Sequence, residues 1–216
     1  MMSNALAAKT HFLFDLDGTL IDSTPLHARA YVGVLARVAP ALASSFDYER
    51  LAGKTTRLAF AEMGFPEPEL DALVSEKQRA YLDALDAGEL RLLPFAHELL
   101  SWLAAQGRAM YLVTSASRRS TTRVLETTGL GEHFADVVTG DDVTRGKPAP
   151  EGYLRIITTH ALEPRRALVI EDAVAGLLSA AAAGLDAVTV HANVPLAAPS
   201  LATFATLAEL RAALEP

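Results

Sequence analysis

Short apolar runs alternate along much of the chain with longer segments of helical periodicity. Four runs have the length of a β-strand, and three of them are rich in Val, Ile or Phe: His11–Phe14, Ala109–Val113, Ala167–Ile170 and Ala187–Val190. Helical patterns cover Ala96–Ala105, Thr121–Thr127, Pro150–Thr159 and Val174–Ala183. Strands that are apolar on both faces and alternate with helices form parallel sheets buried between helices. The pattern therefore predicts an α/β fold with a doubly wound parallel sheet.

Residues 22–93 follow a different pattern. Helical periodicity covers Leu26–Val38 and Leu70–Leu85, and no segment of this stretch has convincing strand character. A helical stretch between the first and second strands indicates an insert rather than part of the sheet, and Pro94 marks the return. We therefore expect a Rossmann-like core of residues 1–21 and 94–216, with a helical unit inserted at residues 22–93.

The composition favours a folded, cytoplasmic protein. Half of the 216 residues are hydrophobic, and 26 Asp and Glu against 19 Lys and Arg give a net charge of −7. This acidic balance argues against nucleic acid as a partner. Cysteine is absent, residues 1–10 lack the features of a secretory signal, and prolines interrupt the longest uncharged stretch, 187–208. We therefore expect neither secretion nor a membrane span.

Two of the predicted strands end in pairs of acidic residues. Asp15 and Asp17 follow the first strand, and Glu171 and Asp172 follow the third. Ligands bind at the carboxyl ends of strands in open α/β sheets, and crowded carboxylates are costly unless a cation or a proton neutralises them. Four oxygen donors at one sheet edge suit Mg²⁺ bound together with a phosphate. The alternatives are a simple β-turn at Asp17-Gly18 and a structural Ca²⁺ ion, although the chain has no compact calcium loop.

Hydroxyl groups and one lysine stand out elsewhere in the predicted core. Thr114 and Ser115 follow the second strand, where hydroxyls and free backbone N–H groups bind phosphate oxygens; alternatively, they cap a helix beginning near Arg118. Lys147 lies in Gly146-Lys147-Pro148-Ala149-Pro150, where two prolines hold the backbone. It could offset the carboxylates and bind a phosphate, or it could be an ordinary solvated lysine.

Taken together, these segments resemble the four motifs of the haloacid dehalogenase-like hydrolase superfamily. The matching residues are Asp15-Leu16-Asp17-Gly18-Thr19-Leu20, Thr114-Ser115, Gly146-Lys147-Pro148 and Glu171-Asp172-Ala173-Val174-Ala175-Gly176. The resemblance extends from about residue 11 to residue 190. It is strongest to the branch of β-phosphoglucomutase and the small sugar-phosphate phosphatases, in which a helical cap domain lies between the first two motifs, as the insert does here.

This resemblance implies a role for each matching residue. Asp15 would be the nucleophile that forms an aspartyl-phosphate, and Asp17 would be the general acid and then the general base. Mg²⁺ would be held by the Asp15 side chain, the Asp17 backbone carbonyl and Asp172, with Glu171 close by. The phosphate contacts would come from Thr114, Lys147, Ser115 and Gly18.

The resemblance also places substrate-selecting residues in the cap. The matching positions are His27, Lys54, Arg57 and Lys77. Arg57 lies one residue further along its loop than the cap arginine of β-phosphoglucomutase does. Solvated helix surface is the alternative for the three basic residues. The remaining histidines, among them His97 and His133, lack the spacing of zinc ligands, so no zinc site is predicted.

The expected function is Mg²⁺-dependent hydrolysis of a small phosphate monoester, a sugar or polyol phosphate, by a monomer or weak dimer. The aspartate at position 17 argues against dehalogenation and phosphonate cleavage, because the branches with those activities lack it. The alternatives are a phosphohexomutase like β-phosphoglucomutase and a catalytically silent phosphate-binding protein on the same fold.

Overall fold

The computed structural model describes residues 6–51, 54–191 and 199–215. Its strands are β1 (His11–Phe14), β2 (Ile21–Asp22), β3 (Arg91–Leu92), β4 (Ala109–Val113), β5 (Asp136–Val138), β6 (Ala167–Glu171), β7 (Asp186–Val190) and β8 (Thr203–Phe204). Six of them form one sheet in the order β5-β4-β1-β6-β7-β8. All neighbours in this sheet are parallel, which confirms the predicted α/β fold.

Some helices belong to the insert, and the others flank the sheet. The insert contains α1 (Thr24–Val38), α2 (Pro40–Ser44), α3 (Thr56–Glu62) and α4 (Glu67–Asp86). The rest of the chain contains α5 (Ala96–Ala105), α6 (Arg118–Thr128), α7 (Glu151–Thr159), α8 (Val174–Ala182) and α9 (Leu207–Leu214). Among the described residues, no helix is both long and apolar enough to cross a membrane.

Side chains of the central strands alternate between two apolar layers, one on each face of the sheet. Phe12 and Phe14 of β1 pack in the layer that includes α5 and α9. Leu13, between them, packs on the opposite face with Tyr153 and Ile156 of α7. The insert has an apolar cluster of its own, formed by α1, α3 and α4. Because the central strands are buried on both faces, their sequences are continuous apolar runs.

The predictions missed the shortest strands. The expectation of no strand between residues 22 and 93 was wrong at both ends, because Ile21 pairs with Leu92 and Asp22 with Arg91 in an antiparallel ladder. This ladder lies where the chain leaves and rejoins the core. Strands of two or three residues, which also include β5 and β8, are too short to show a hydrophobic period. The insert boundaries at 22 and 93 stay a prediction.

Candidate active site

The strand order places β1 at a switch point of the sheet, between β4 and β6. The chain builds the sheet from β1 toward one edge through β4 and β5 and then toward the other edge through β6, β7 and β8, which opens a crevice at the carboxyl ends of the strands. Asp15 follows β1 directly, and its backbone N–H donates to the carbonyl of Ile170 over 3.0 Å. The next turn needs Gly18, which has a φ of +83°. A Cβ at this glycine would lie 2.0 Å from Asp172 Oδ2, so the two acidic strand ends meet here.

Lys147 lies between two of the buried carboxylates. Its Nζ donates to Asp15 Oδ1 over 2.6 Å, to Glu171 Oε1 over 2.5 Å and to the carbonyl of Val113 over 2.8 Å. Burial alone would lower the pKa of Lys147, but the two carboxylates raise it above its ordinary value. The structure thus places Lys147 as a charged group at the carboxylates, and not as a solvated lysine.

Three carboxylates at this point have the arrangement of a cation site. One oxygen each of Asp15, Glu171 and Asp172 lies within 4.8 Å of the others. Oε2 of Glu171 is buried and has no hydrogen-bond partner among the described residues. Burial and repulsion from Glu171 raise the pKa of Asp172 to about 8, because Lys147 offsets only part of the negative charge. Hard oxygen donors with surplus negative charge fit Mg²⁺.

Two features hold Glu171, the most buried member of this cluster. The hydroxyl of Tyr153 donates to Glu171 Oε1 over 2.6 Å. A Cβ at Gly176 would lie 1.9 Å from both Cδ and Oε1 of Glu171, so the carboxylate fills the space that this glycine leaves. Tyr153 was not predicted as a site residue, because nothing in its local sequence pattern distinguishes it from an ordinary core tyrosine.

Asp17 faces the helical insert rather than the carboxylate cluster. Nε2 of His27 donates to Asp17 Oδ1 over 2.9 Å, and Lys77 Nζ donates to Nδ1 of the same imidazole over 2.6 Å. A lysine ammonium only donates, so Nδ1 must accept and His27 carries its proton on Nε2. Burial opposes ionisation of Asp17, but His27 and Lys77 hold its pKa below the ordinary value. Burial lowers the pKa of Lys77 to about 8.

Aromatic rings fix the orientation of His27. Its ring stacks on Tyr81 at 4.0 Å between centroids and on Tyr48 at 5.7 Å. Lys77 Nζ lies 4.8 Å from the ring centroid of Tyr31 and 5.2 Å from that of Tyr81. Cations are stabilised over aromatic faces, which helps to keep a charged lysine buried. These tyrosines were not among the residues predicted to form the site.

The hydroxyl-bearing residues after β4 differ in what they contact. Thr114 is buried, and its Oγ1 accepts from the backbone N–H of Ala116 over 3.0 Å and lies 3.5 Å from Asp17 Oδ2. Thr114 and Ser115 both line a cavity of about 30 Å³ between the core and the insert. The cap of α6 is Ser117, which accepts from the N–H of Ser120. The helix beginning at Arg118 thus has a hydroxyl cap, as the alternative interpretation expected, but the capping residue is Ser117 rather than Thr114 or Ser115.

The remaining predicted cap residues differ in position. Lys54 lines the same cavity, and its Nζ pairs with Glu62 over 2.5 Å. Arg57 does not line it: its guanidinium is half exposed and pairs with Glu67 and Asp71 of α4 on the outside of the insert. For Arg57, the structure shows a position at the solvated helix surface, which was the alternative interpretation.

A family model for haloacid dehalogenase-like hydrolases matches residues 12–190. The chain belongs to this family. It is 35% identical over 185 residues to hexitol phosphatase A of Escherichia coli K12, covering 84% of this chain and 82% of that protein. It is 32% identical to fructose-1-phosphate phosphatase YqaB of the same organism, covering 83% and 95%. A solved structure of a hydrolase from Pseudomonas syringae superposes with a TM-score of 0.82 at 26% identity, covering 94% and 96%.

Proposed function

We propose that this haloacid dehalogenase-like enzyme is a Mg²⁺-dependent phosphatase that hydrolyses a sugar or polyol phosphate through an aspartyl-phosphate on Asp15. Its family and its phosphatase relatives make it a phosphoric monoester hydrolase acting on a small phosphorylated metabolite. The observation that carries the finer proposal is the contrast between two neighbouring carboxylates. Asp15 accepts a hydrogen bond from Lys147 within the carboxylate cluster, whereas Asp17 accepts one from His27 of the insert.

The two carboxylates therefore have different roles: Asp15 is the nucleophile, and Asp17 transfers protons. An oxygen of Asp15 attacks phosphorus, and the bond from phosphorus to the leaving oxygen breaks as Asp17 donates a proton to that oxygen. Asp17 is ionised in the free protein, and the negative charge of a bound phosphate raises its pKa so that it takes up this proton. Asp17 then removes a proton from water, which attacks phosphorus and releases phosphate from Asp15. His27 holds Asp17 in place through both halves.

The metal site would be formed by the side chains of Asp15 and Asp172 and the backbone carbonyl of Asp17, with Glu171 beside it. The surplus charge and the unpartnered Oε2 of Glu171 support this assignment. Bound Mg²⁺ supplies neutralisation of negative charge on the phosphoryl oxygens. Lys147 supplies a second positive charge, and the backbone and hydroxyls of Gly18, Thr114 and Ser115 supply hydrogen bonds.

The insert acts as the cap that selects the substrate. Lys54, His27 and Lys77 line the cavity above Asp15 and Asp17. At about 30 Å³ this cavity is too small for a sugar phosphate, so the cap must move outward when substrate enters. Closure then excludes water other than the attacking molecule. We further propose that the enzyme is cytoplasmic and works as a monomer or weak dimer.

The test is release of inorganic phosphate from a panel of sugar and polyol phosphates at fixed Mg²⁺, ranked by kcat/KM. A phosphohexomutase would instead convert a hexose 1-phosphate, given its bisphosphate, to the 6-phosphate without releasing phosphate. Loss of p-nitrophenyl phosphate hydrolysis in Asp15→Asn or on chelation of Mg²⁺ supports the proposal. If the native protein hydrolyses no phosphate monoester, it is the silent phosphate-binding protein instead.

A further inference from the structure

Three potential metal ligands come together at the surface of the core in a group separate from the carboxylate cluster of the active site. His97 lies at the start of α5, and Glu132 and His133 lie in the 3₁₀ turn Leu130–His133 after α6. One ligand atom of each lies within 4.8 Å of the other two. The two imidazole rings meet edge to face, with 5.2 Å between their centroids. Two remote parts of the sequence thus present their ligand atoms to one point.

Each of these side chains keeps a donor atom that other described residues do not use. Nε2 of His133 is buried and has no hydrogen-bond partner in the described parts of the chain. Nδ1 of His97 contacts the hydroxyl of Ser101 over 3.2 Å, which orients the ring and leaves Nε2 for a ligand. Glu132 forms no ion pair or hydrogen bond with another described side chain. A buried imidazole nitrogen without a partner is costly, and a bound ion would remove that cost.

The chemistry of these donors differs from that of the catalytic cluster. Two imidazoles and a carboxylate suit borderline ions such as Zn²⁺, whereas three carboxylates suit Mg²⁺. A metal ion binds the lone pair of a neutral imidazole nitrogen, and the unpartnered Nε2 of His133 can supply one. Three protein ligands leave the fourth position of a tetrahedral ion to water.

The spacing allows an ion to bind after small side-chain movements. Tetrahedral ligands at zinc lie about 3.4 Å from one another. Since the three ligand atoms lie within 4.8 Å of one another, an ion at their centre would lie no more than about 2.8 Å from each. An inward shift of less than 1 Å by each ligand atom brings all three to bonding distance of the ion. The side chains of His97 and Glu132 are exposed and can make this movement.

We propose that His97, Glu132 and His133 form a binding site for a divalent transition-metal ion, with Zn²⁺ as the test ion. The bound ion joins the start of α5 to the turn after α6 and stabilises the core. It takes no part in the hydrolytic reaction, since neither element contributes a residue to the active site.

Calorimetric titration of the tag-free protein with Zn²⁺, in excess Mg²⁺ to occupy the carboxylate site, measures this binding. His97→Ala and Glu132→Gln each remove a ligand from an exposed position, so the fold is retained. We expect each variant to raise the Kd for Zn²⁺ at least tenfold without changing phosphatase activity. The matched control is His160→Ala, whose imidazole pairs with Asp136 elsewhere and which should bind Zn²⁺ like the native chain.

Electron paramagnetic resonance with Cu²⁺ identifies the ligands directly. Coupling to two imidazole nitrogens in the native protein, reduced to one in His97→Ala, supports the site. Equal Zn²⁺ affinity in all four proteins, or a Cu²⁺ spectrum with oxygen ligands only, would overturn it.

Discussion

Glu171 occupies the space that a side chain at position 176 would need. A Cβ at Gly176, within α8, would lie 1.9 Å from the Glu171 carboxylate. Glu171 is fully buried, and its Oε1 accepts from Lys147 and from the hydroxyl of Tyr153. Gly176→Ala should therefore force Glu171 away from both partners and leave Lys147 without one of the anions that fix it.

The size of this effect follows from the two lost contacts. Each hydrogen bond to a charged group contributes about 1.5 to 3 kcal/mol, so losing both costs about 3 to 6 kcal/mol. Alanine in place of glycine inside a helix returns about 1 kcal/mol. We expect the free energy of unfolding to fall by about 2 to 5 kcal/mol, and Tm by about 5 to 15 °C for a chain of this length.

Gly33→Ala is the matched control. Gly33 is also inside a helix, α1, but a Cβ there would meet nothing within 4 Å. This variant should gain about 0.5 to 1 kcal/mol and keep full activity. Urea unfolding and hydrolysis of p-nitrophenyl phosphate compare the two. If Gly176→Ala is as stable and as active as Gly33→Ala, the account of how Glu171 is held is refuted.

Four further substitutions probe the surroundings of the reaction centre. Lys147→Met leaves two buried carboxylates without their cation, so urea unfolding at neutral pH should show a loss of about 3 to 5 kcal/mol. This loss should shrink toward acid pH, where the carboxylates bind protons; a pH-independent loss would count against the pairing. Lys77→Met removes a charge that lowers the pKa of Asp17, so the alkaline limb of the kcat/KM profile, where Asp17 lacks the proton that it donates, should move to higher pH; an unmoved limb would contradict this coupling. Lys54→Ala, in the cavity wall, should lower kcat/KM about tenfold through KM, whereas Arg57→Ala should change it less than twofold; the reverse order would mean that Arg57 reaches the substrate.

The convergence of Asp15 with Glu171 and Asp172 could be predicted from the sequence because it follows from topology, whereas Asp17, which was expected to join them, faces the insert. Parallel strands in one sheet have their carboxyl ends at the same edge, so acids at the carboxyl ends of the neighbouring strands β1 and β6 must meet there. The position of Lys147 could not be predicted from its local sequence alone, since a solvated surface lysine has the same local pattern. Its motif resemblance suggested a position at the carboxylates, and the structure places it there.

Other features depend on contacts that have no local signature. Arg57 turns outward because the acids of α4 lie within reach, which spacing along the chain does not indicate. Tyr153 reaches Glu171 only after α7 packs on the sheet. The histidine cluster escaped prediction because His97 and His133 lie on separate elements and share no i, i+4 spacing.

Trapping a phosphorylated enzyme tests the central claim most directly. In Asp17→Asn the base for hydrolysis of the aspartyl-phosphate is lost, while p-nitrophenyl phosphate still reacts because its leaving group needs no proton. Rapid mixing should release one p-nitrophenol per enzyme molecule in a burst, and mass spectrometry should find the phosphoryl group on Asp15. Steady turnover without a burst, or hydrolysis that persists in Asp15→Asn, would contradict nucleophilic catalysis by Asp15.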